Sequence, residues 1–389
     1  MRATVDQLGE SMIRVVANAA LDQSDVLKFW FGESDETTPA VIRDAASASL
    51  AAGETFYSHN LGLASLREAL AGYCSALHGQ TIGPERMALT AGGVNGLMLT
   101  AQALLDPGDS VVVVTPVWPN LVAQPRVMGA QVRTLSLRPH QGRWSLDMDE
   151  LLATLGPQTR ALILNSPNNP TGWTLSRSEQ AQILAHCRHH GIWIVADEVY
   201  ERLYFAGAPG ECAPSFLDLA APDDRLVVVN SFSKSFLMTG WRLGWLTVPP
   251  AMTPALAKLI EFNTSCLPVF VQRAGLAALT HAEQITPAVV DHLRQCRDTL
   301  LPLLQALPGV QVAPAPGAMY AFLCMPQYPD SLGLAQRLVR EAGLGLAPGH
   351  AFHDGSQVEL QGWLRWCFAS ADLQRLRQGA DRLAGWIGL

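Results

Sequence analysis

The chain has 389 residues, 49% of them hydrophobic, and a formal net charge of −7; it can hold a large core in roughly two or three domains, and its dispersed basic residues form no stripe for nucleic acid or an anionic membrane. The longest apolar stretches are strand-length, so no transmembrane helix is indicated, and Met1-Arg2-Ala3-Thr4-Val5-Asp6 lacks an apolar signal-peptide core. Seven scattered cysteines, odd in number and without a CxxC pair, read as reduced thiols of a cytoplasmic protein rather than a disulfide framework or zinc site.

The first 45 residues do not fit the pattern of the middle of the chain and are expected to pack with the C-terminal part. From there, apolar runs of strand length at 111–114, 161–164, 192–196, 226–229 and 244–248 alternate with helix-like segments such as 97–105 and 178–190. Continuous apolar strands separated by helices predict an α/β unit with a mostly parallel sheet covered on both faces. Past residue 250 the pattern changes: 251–263, 268–280 and 288–307 read as helices. A smaller α+β section follows, with strands at 318–324 and 363–368 and a closing helix near 373–386. No repeat or long linker interrupts the chain. The expected division is a large domain near 46–280 and a small domain built from 1–45 and 281–389.

Several segments carry chemistry. Leu89-Thr90-Ala91-Gly92-Gly93-Val94-Asn95-Gly96 follows a strand-like stretch and opens a helix, where glycines let backbone N–H groups approach a phosphate; alone it is equally a turn. Trp118 lies just past an apolar strand, at the sheet edge where ligands bind, and either stacks on a flat ring or fills the core. Asn165-Ser166-Pro167-Asn168-Asn169-Pro170-Thr171-Gly172 is a turn after another strand, and its two successive asparagines can offer an amide to a ring oxygen. Asp197 ends a buried strand, where a carboxylate needs a cationic partner unless it caps a helix; Tyr200 follows three residues later.

Lys234 is the most informative residue. It is a lone lysine in the uncharged run Asn230-Ser231-Phe232-Ser233-Lys234-Ser235-Phe236, with Arg242 eight positions on. It is either a buried structural lysine or an amine for Schiff-base chemistry with a carbonyl such as that of pyridoxal phosphate, in which case Ser233 and Arg242 suit the phosphate. Arg365 sits in the apolar string Trp363-Leu364-Arg365-Trp366-Cys367-Phe368, and its planar fork suits a carboxylate, whether a structural partner or a ligand.

Taken in order, Ser-Pro-Asn-Asn-Pro-Thr-Gly, Asp-Glu-Val-Tyr and Ser-Phe-Ser-Lys with Thr-Gly-Trp-Arg-Leu-Gly resemble the class I/II aminotransferases of the fold-type I pyridoxal phosphate (PLP) enzymes, nearly end to end. The resemblance implies a large domain with a mostly parallel sheet of the seven-stranded type, flanked by helices, and a small α+β domain formed by both chain ends. It implies Lys234 as the Schiff-base lysine, Asp197 on the pyridine nitrogen, Asn169 and Tyr200 on the phenolic oxygen, and Trp118 on the ring. Gly92, Gly93, Val94, Ser231, Ser233 and Arg242 would surround the phosphate. Tyr57 matches a family tyrosine that reaches the neighbouring subunit's phosphate, which implies a homodimer. Arg365 and Gly32 would hold the substrate α-carboxylate, beside Asn169 and Trp118.

The implied activity is ping-pong transfer of an amino group from an L-amino acid to a 2-oxo acid. Some aspartate-specific relatives carry lysine at the place of Val94, which points here to a neutral or aromatic donor. Arg14, His59 and His350 are the other basic candidates for a distal carboxylate. A β-lyase, decarboxylase or oxidase-type reaction would use the same cofactor residues. A sensor or regulator on this fold would need a DNA-binding extension for which little chain remains, and no GxGxxG supports a nicotinamide enzyme.

Overall fold

The computed structural model describes residues 1–140, 142–208, 210–353 and 361–388. Its largest sheet has seven strands, labelled in chain order: β1 Met87–Thr90, β2 Ser110–Thr115, β3 Gln131–Ser136, β4 Thr159–Asn165, β5 Trp193–Asp197, β6 Leu226–Ser231 and β7 Gly244–Thr247. The order across the sheet is β1-β7-β6-β5-β4-β2-β3, and only β7 runs antiparallel to its neighbours.

The continuous apolar runs have a direct physical reason: side chains alternate between faces along a strand, and here both faces are buried. Val112, Val114, Leu162, Leu164, Ile194, Ala196 and Val228 enter one apolar cluster, with helices Ala64–His78, Arg177–His190 and Val269–Thr280. Their neighbours Val111, Val113, Ala161, Ile163, Val195, Val227 and Val229 enter a second cluster, with helices Gly93–Leu104, Asn120–Met128 and Thr253–Thr264. Helix Arg177–His190 is delimited by its own sequence: Ser176 and Glu179 form a reciprocal capping box, and Gly191 ends it at φ +68°.

The second layer is a four-stranded antiparallel sheet in the order Gln311–Val312, Tyr320–Cys324, Trp363–Cys367, Ala347–Pro348. Helices Ala282–Gln305, Ser331–Ala342 and Leu373–Ile387 accompany it. The N-terminal segment joins this layer, as the sequence suggests. Leu27–Lys28 pairs in parallel with Leu344–Gly345, and helix Met12–Asn18 packs on Ser331–Ala342 and on strand Ala347–Pro348.

One helix differs from expectation. The segment expected at 288–307 begins at Ala282 and carries Pro287 and Pro302 inside it. Pro287 removes one helical N–H, but Ile285, Val289, Val290 and Leu293 bury a common stripe that stabilises the turn through it.

Candidate active site

Parallel topology brings the ends of β1, β2, β4, β5 and β6, and the start of β7, to one edge of the sheet. Register fixes this: Asn165 at the end of β4 is paired with Asp197 at the end of β5, and Gly244 is paired with both Ser231 and Thr90. Ligands bind at this edge in open α/β sheets. Over it lies a cavity of about 550 Å³, closed on the other side by Phe31–Glu33, Tyr320 and Arg365 from the small layer and by Arg14 from helix Met12–Asn18.

One end of the cavity is built to hold an anion. Gly92, at φ +81°, turns the chain so that helix Gly93–Leu104 starts at the cavity wall, and Gly93 and Val94 line it. Ser231, Ser233 and Arg242 stand opposite. The Ser231 and Ser233 hydroxyls are 2.9 Å apart. Arg242 occupies the left-handed region at φ +55° and is pinned through Nη1 to the Thr239 carbonyl (2.7 Å) and through Nη2 to the Ala91 carbonyl (3.4 Å). Gly92 lies behind this wall; a Cβ there would sit 2.2 Å from Arg242 Nη2. Gly244 is held by backbone instead: its Cβ would sit 2.8–3.0 Å from the Asn230 carbonyl oxygen and the Gly92–Gly93 backbone.

The centre holds an amine and a carboxylate. Lys234 Nζ donates to the Gly32 carbonyl (2.5 Å), and burial lowers its pKa to about 8. Asp197 is 3% exposed, and among the described residues its carboxylate accepts one long hydrogen bond, from Val199 N (3.4 Å). Burial raises its pKa to about 7, so ionising it calls for a cationic partner in the cavity. It is not a helix cap: a turn over residues 199–202 follows it, and no helix starts there. Trp118 is half-buried on the cavity wall, with apolar contacts beneath it.

The two successive asparagines divide their work. Asn168 builds the turn, accepting from Thr171 N and Oγ1 and donating to the Pro116 carbonyl. Asn169 faces the cavity, and its Oδ1 accepts from Arg365 Nη1 (2.8 Å). Tyr200 also lines the cavity, and its hydroxyl lies 2.5 Å from that of Tyr320.

Arg365 closes the far end. It is 2% exposed and makes no ion pair among the described residues; Nη2 donates to the Trp30 carbonyl (2.5 Å) and Nε has no partner. Its guanidinium lies between the rings of Tyr320 (4.5 Å) and Phe352 (4.9 Å). A buried cation with a free donor and no carboxylate faces the cavity as an anion receptor, and the structural ion pair weighed from sequence is absent among the described residues.

Twelve of the fourteen residues singled out from sequence line this one cavity; Gly92 stands behind its wall and Tyr57 lies outside it. Tyr57 is 90% exposed in the single chain, near Phe56 at 83%. Of the basic candidates, Arg14 lines the cavity, stacked over Phe31 at 4.7 Å, whereas His59 and His350 do not line it. His59 Nδ1 instead accepts from Leu61 N. Phe31, Asn165 and Tyr320 also line the cavity; the sequence assigned none of them an individual role, and the available signal was proximity to neighbouring motifs, not spacing.

A family model for aminotransferase class I and II matches residues 24–383. The chain belongs to this family. It is 33% identical over 372 residues to the aspartate/prephenate aminotransferase of Thermus thermophilus, covering 94% of this chain and 91% of that relative. It is 33% identical to the valine–pyruvate aminotransferase of Mycobacterium tuberculosis, over 93% of this chain and 91% of the relative. Among solved structures, an Escherichia coli protein described as having a methionine aminotransferase function superposes with a TM-score of 0.91 at 26% identity, over 99% of both chains. The cavity at the strand ends is therefore the candidate active site of an aminotransferase. Among the described residues, no helix is long and apolar enough to cross a membrane.

Proposed function

We propose that this aminotransferase uses pyridoxal 5′-phosphate and works as a cytoplasmic homodimer, moving the amino group of a neutral or aromatic L-amino acid to a 2-oxo acid by a ping-pong mechanism. The observation that carries the reading is Arg365, a buried guanidinium without an acidic partner among the described residues, opening onto the cavity that also holds the Lys234 amine and the Asp197 carboxylate.

The residues fit the cofactor. The start of helix Gly93–Leu104, Ser231, Ser233 and Arg242 would hold its phosphate. Asp197 would face the ring nitrogen, whose N–H supplies the charge partner that this buried carboxylate lacks. Asn169, with Oδ1 committed to Arg365, keeps its amide N–H for the phenolic oxygen, beside Tyr200; Trp118 would cover the ring. Bound PLP supplies an aldehyde that condenses with amines and a protonated ring that draws electrons from the substrate Cα.

The chain's own part is binding and proton handling. Arg365 would hold the α-carboxylate with Nε and its remaining N–H bonds, next to the Gly32 backbone. Once displaced from the cofactor by the substrate amine, Lys234 Nζ would take the Cα proton and return it to the cofactor carbon; a pKa near 8 places this amine close to the working range of a general base. Asp197 would keep the ring nitrogen protonated throughout.

Ile13, Phe31, Val94 and Leu97 give the substrate side of the cavity an apolar lining, which supports a neutral or aromatic donor, as do the valine and methionine activities named for the relatives. Exposed Phe56, Tyr57 and Phe262 support a second copy covering this face, with Tyr57 contributed across the interface. The large unit near 46–280 and the small unit from 1–45 and 281–389 belong to the same reading.

The test is an absorption titration of the PLP-loaded protein with single amino acids and no oxo acid. Conversion of the yellow band to the near-ultraviolet pyridoxamine phosphate form, reversed by an oxo acid, is the expected result and names the donor. Release of ammonia, carbon dioxide or peroxide instead overturns it in favour of a lyase, decarboxylase or oxidase reaction.

A further inference from the structure

Tyr320 opens strand Tyr320–Cys324 and is fully buried, with its ring under the Arg365 guanidinium and its hydroxyl 2.5 Å from that of Tyr200. The two rings meet nearly edge-on, at 80°. On its other side the hydroxyl abuts Gly32, where an added Cβ would lie 2.1 Å from it. The Gly32 carbonyl in turn accepts from Lys234 Nζ. Tyr320 thus touches Tyr200, Arg365 and Gly32, whose carbonyl holds Lys234, yet the reaction as derived gives it no task.

Proton counting supplies one. A phenol has a single proton to donate, and burial pushes both Tyr200 and Tyr320 well above the usual phenol range, so both stay neutral. Only one proton can lie between the two oxygens. If Tyr200 donates to the cofactor's phenolic oxygen, as in the reading above on which this inference rests, the bond between the tyrosines must be donated by Tyr320. We propose that Tyr320 is a positioning residue that sets the polarity of the Tyr200 hydroxyl, so that Tyr200 presents a proton rather than a lone pair to the cofactor. Donor chains of this kind strengthen one another, so the proton offered by Tyr200 is also a better one. Without Tyr320 Oη, Tyr200 is free to rotate its proton away.

Tyr320→Phe removes only the hydroxyl and keeps the ring beneath Arg365. The readout is the pH midpoint of the bound cofactor's yellow-to-near-ultraviolet absorption change. A donor to the phenolic oxygen helps most when that oxygen bears its charge unshared, at the high-pH end, so weakening the donor moves the midpoint up in pH. Tyr320→Phe is expected to raise the midpoint by less than Tyr200→Phe does, and the double variant is expected to match Tyr200→Phe alone, because Tyr320 acts through Tyr200. A wild-type midpoint in Tyr320→Phe, or a double variant equal to the sum of both shifts, overturns the proposal and leaves the cofactor assignment standing. A wild-type midpoint in Tyr200→Phe overturns both. Should Tyr320→Phe not fold, Tyr320→Met removes the same hydroxyl with a flexible apolar side chain and is expected to raise the midpoint likewise; an unchanged midpoint there overturns the proposal.

Discussion

The side-chain amide of Asn165 donates to the backbone carbonyl of Asp197 at 3.0 Å, tying together the ends of two adjacent parallel strands. The same side chain accepts from Asn169 N at 2.7 Å, and Ser166 N also reaches the Asp197 carbonyl, at 3.1 Å. Asn165 therefore sets the distance between a carboxylate on one strand and an amide on the turn after the next.

Asn165→Ala leaves the Asn169 N–H buried without a partner, while Ser166 N still serves the Asp197 carbonyl. A loss of about 1–3 kcal/mol is expected, the ordinary penalty for an orphaned buried donor. Urea unfolding checks the stability. Cofactor affinity is expected to fall as well, since Asn169 is no longer held; unchanged affinity would show that the turn holds its shape without Asn165.

Arg365→Ala removes the only buried cation at the far end of the cavity among the described residues. Losing two charge-assisted hydrogen bonds, about 1.5–3 kcal/mol each, lowers kcat/KM by roughly 10²–10⁴-fold. Because the α-carboxylate is held in ground and transition states alike, most of the loss is expected in KM. Arg365→Lys is expected to recover little, as it restores a point charge without the fork. Steady-state kinetics with one amino acid separates the two constants.

Arg14→Ala tests the donor class. The Arg14 guanidinium rests on Phe31 at the cavity rim, and it is the one basic side chain besides Lys234, Arg242 and Arg365 on the wall among the described residues. Its removal is expected to leave kcat/KM for neutral donors within about threefold and to lower that for dicarboxylic donors by roughly tenfold, the worth of a single exposed charged contact. A loss of equal size for both classes would mean that Arg14 shapes the helix rather than selecting the substrate.

Behind Asp197 lies Glu198, which takes hydrogen bonds from Ser215 Oγ (2.5 Å) and Phe216 N (3.1 Å). Burial, reinforced by neighbouring Glu201, outweighs these bonds and raises its pKa from 4.5 to about 8. The folded chain thus holds this proton more tightly than the unfolded chain does. Its contribution to stability is full below the unfolded value, shrinks as pH rises from about 4.5, and is gone above about 8. Glu198→Gln is expected to flatten the fall in thermal midpoint across that window; an equally steep fall in the variant would assign the proton to another group.

How much of this was legible in the sequence depended on where each signal lies. Strands β2, β4, β5 and β6 announce themselves because both faces are buried, which leaves unbroken apolar runs. Strand β3, at the sheet edge, exposes alternate residues, so Gln131–Ser136 carries no such run and was not foreseen. Most of the cofactor side of the site was legible because it hangs on strand ends, each marked by a local motif. The division of labour between Asn168 and Asn169 was not, because it depends on which way a turn faces. Tyr320 and Arg14 come from segments far apart in the chain, and only the folded arrangement puts them on the wall with Lys234.

The pairing of Leu27–Lys28 with Leu344–Gly345 also places a demand on synthesis. An N-terminal segment emerges first, yet its partner strand appears roughly three hundred residues later, about 15–60 s at ordinary translation rates. During that wait Phe29 and Trp30, buried in the finished molecule, have no strand to lie against, while the strands of the central sheet follow one another off the ribosome and can assemble. The newborn chain is thus a nearly complete scaffold trailing an apolar tether, and its cavity gains a roof only when the last stretch arrives. Limited proteolysis of chains stalled before residue 344 is expected to cut near Leu27 and spare the central strands; protection at Leu27 in those chains would mean that the tether docks earlier on another surface.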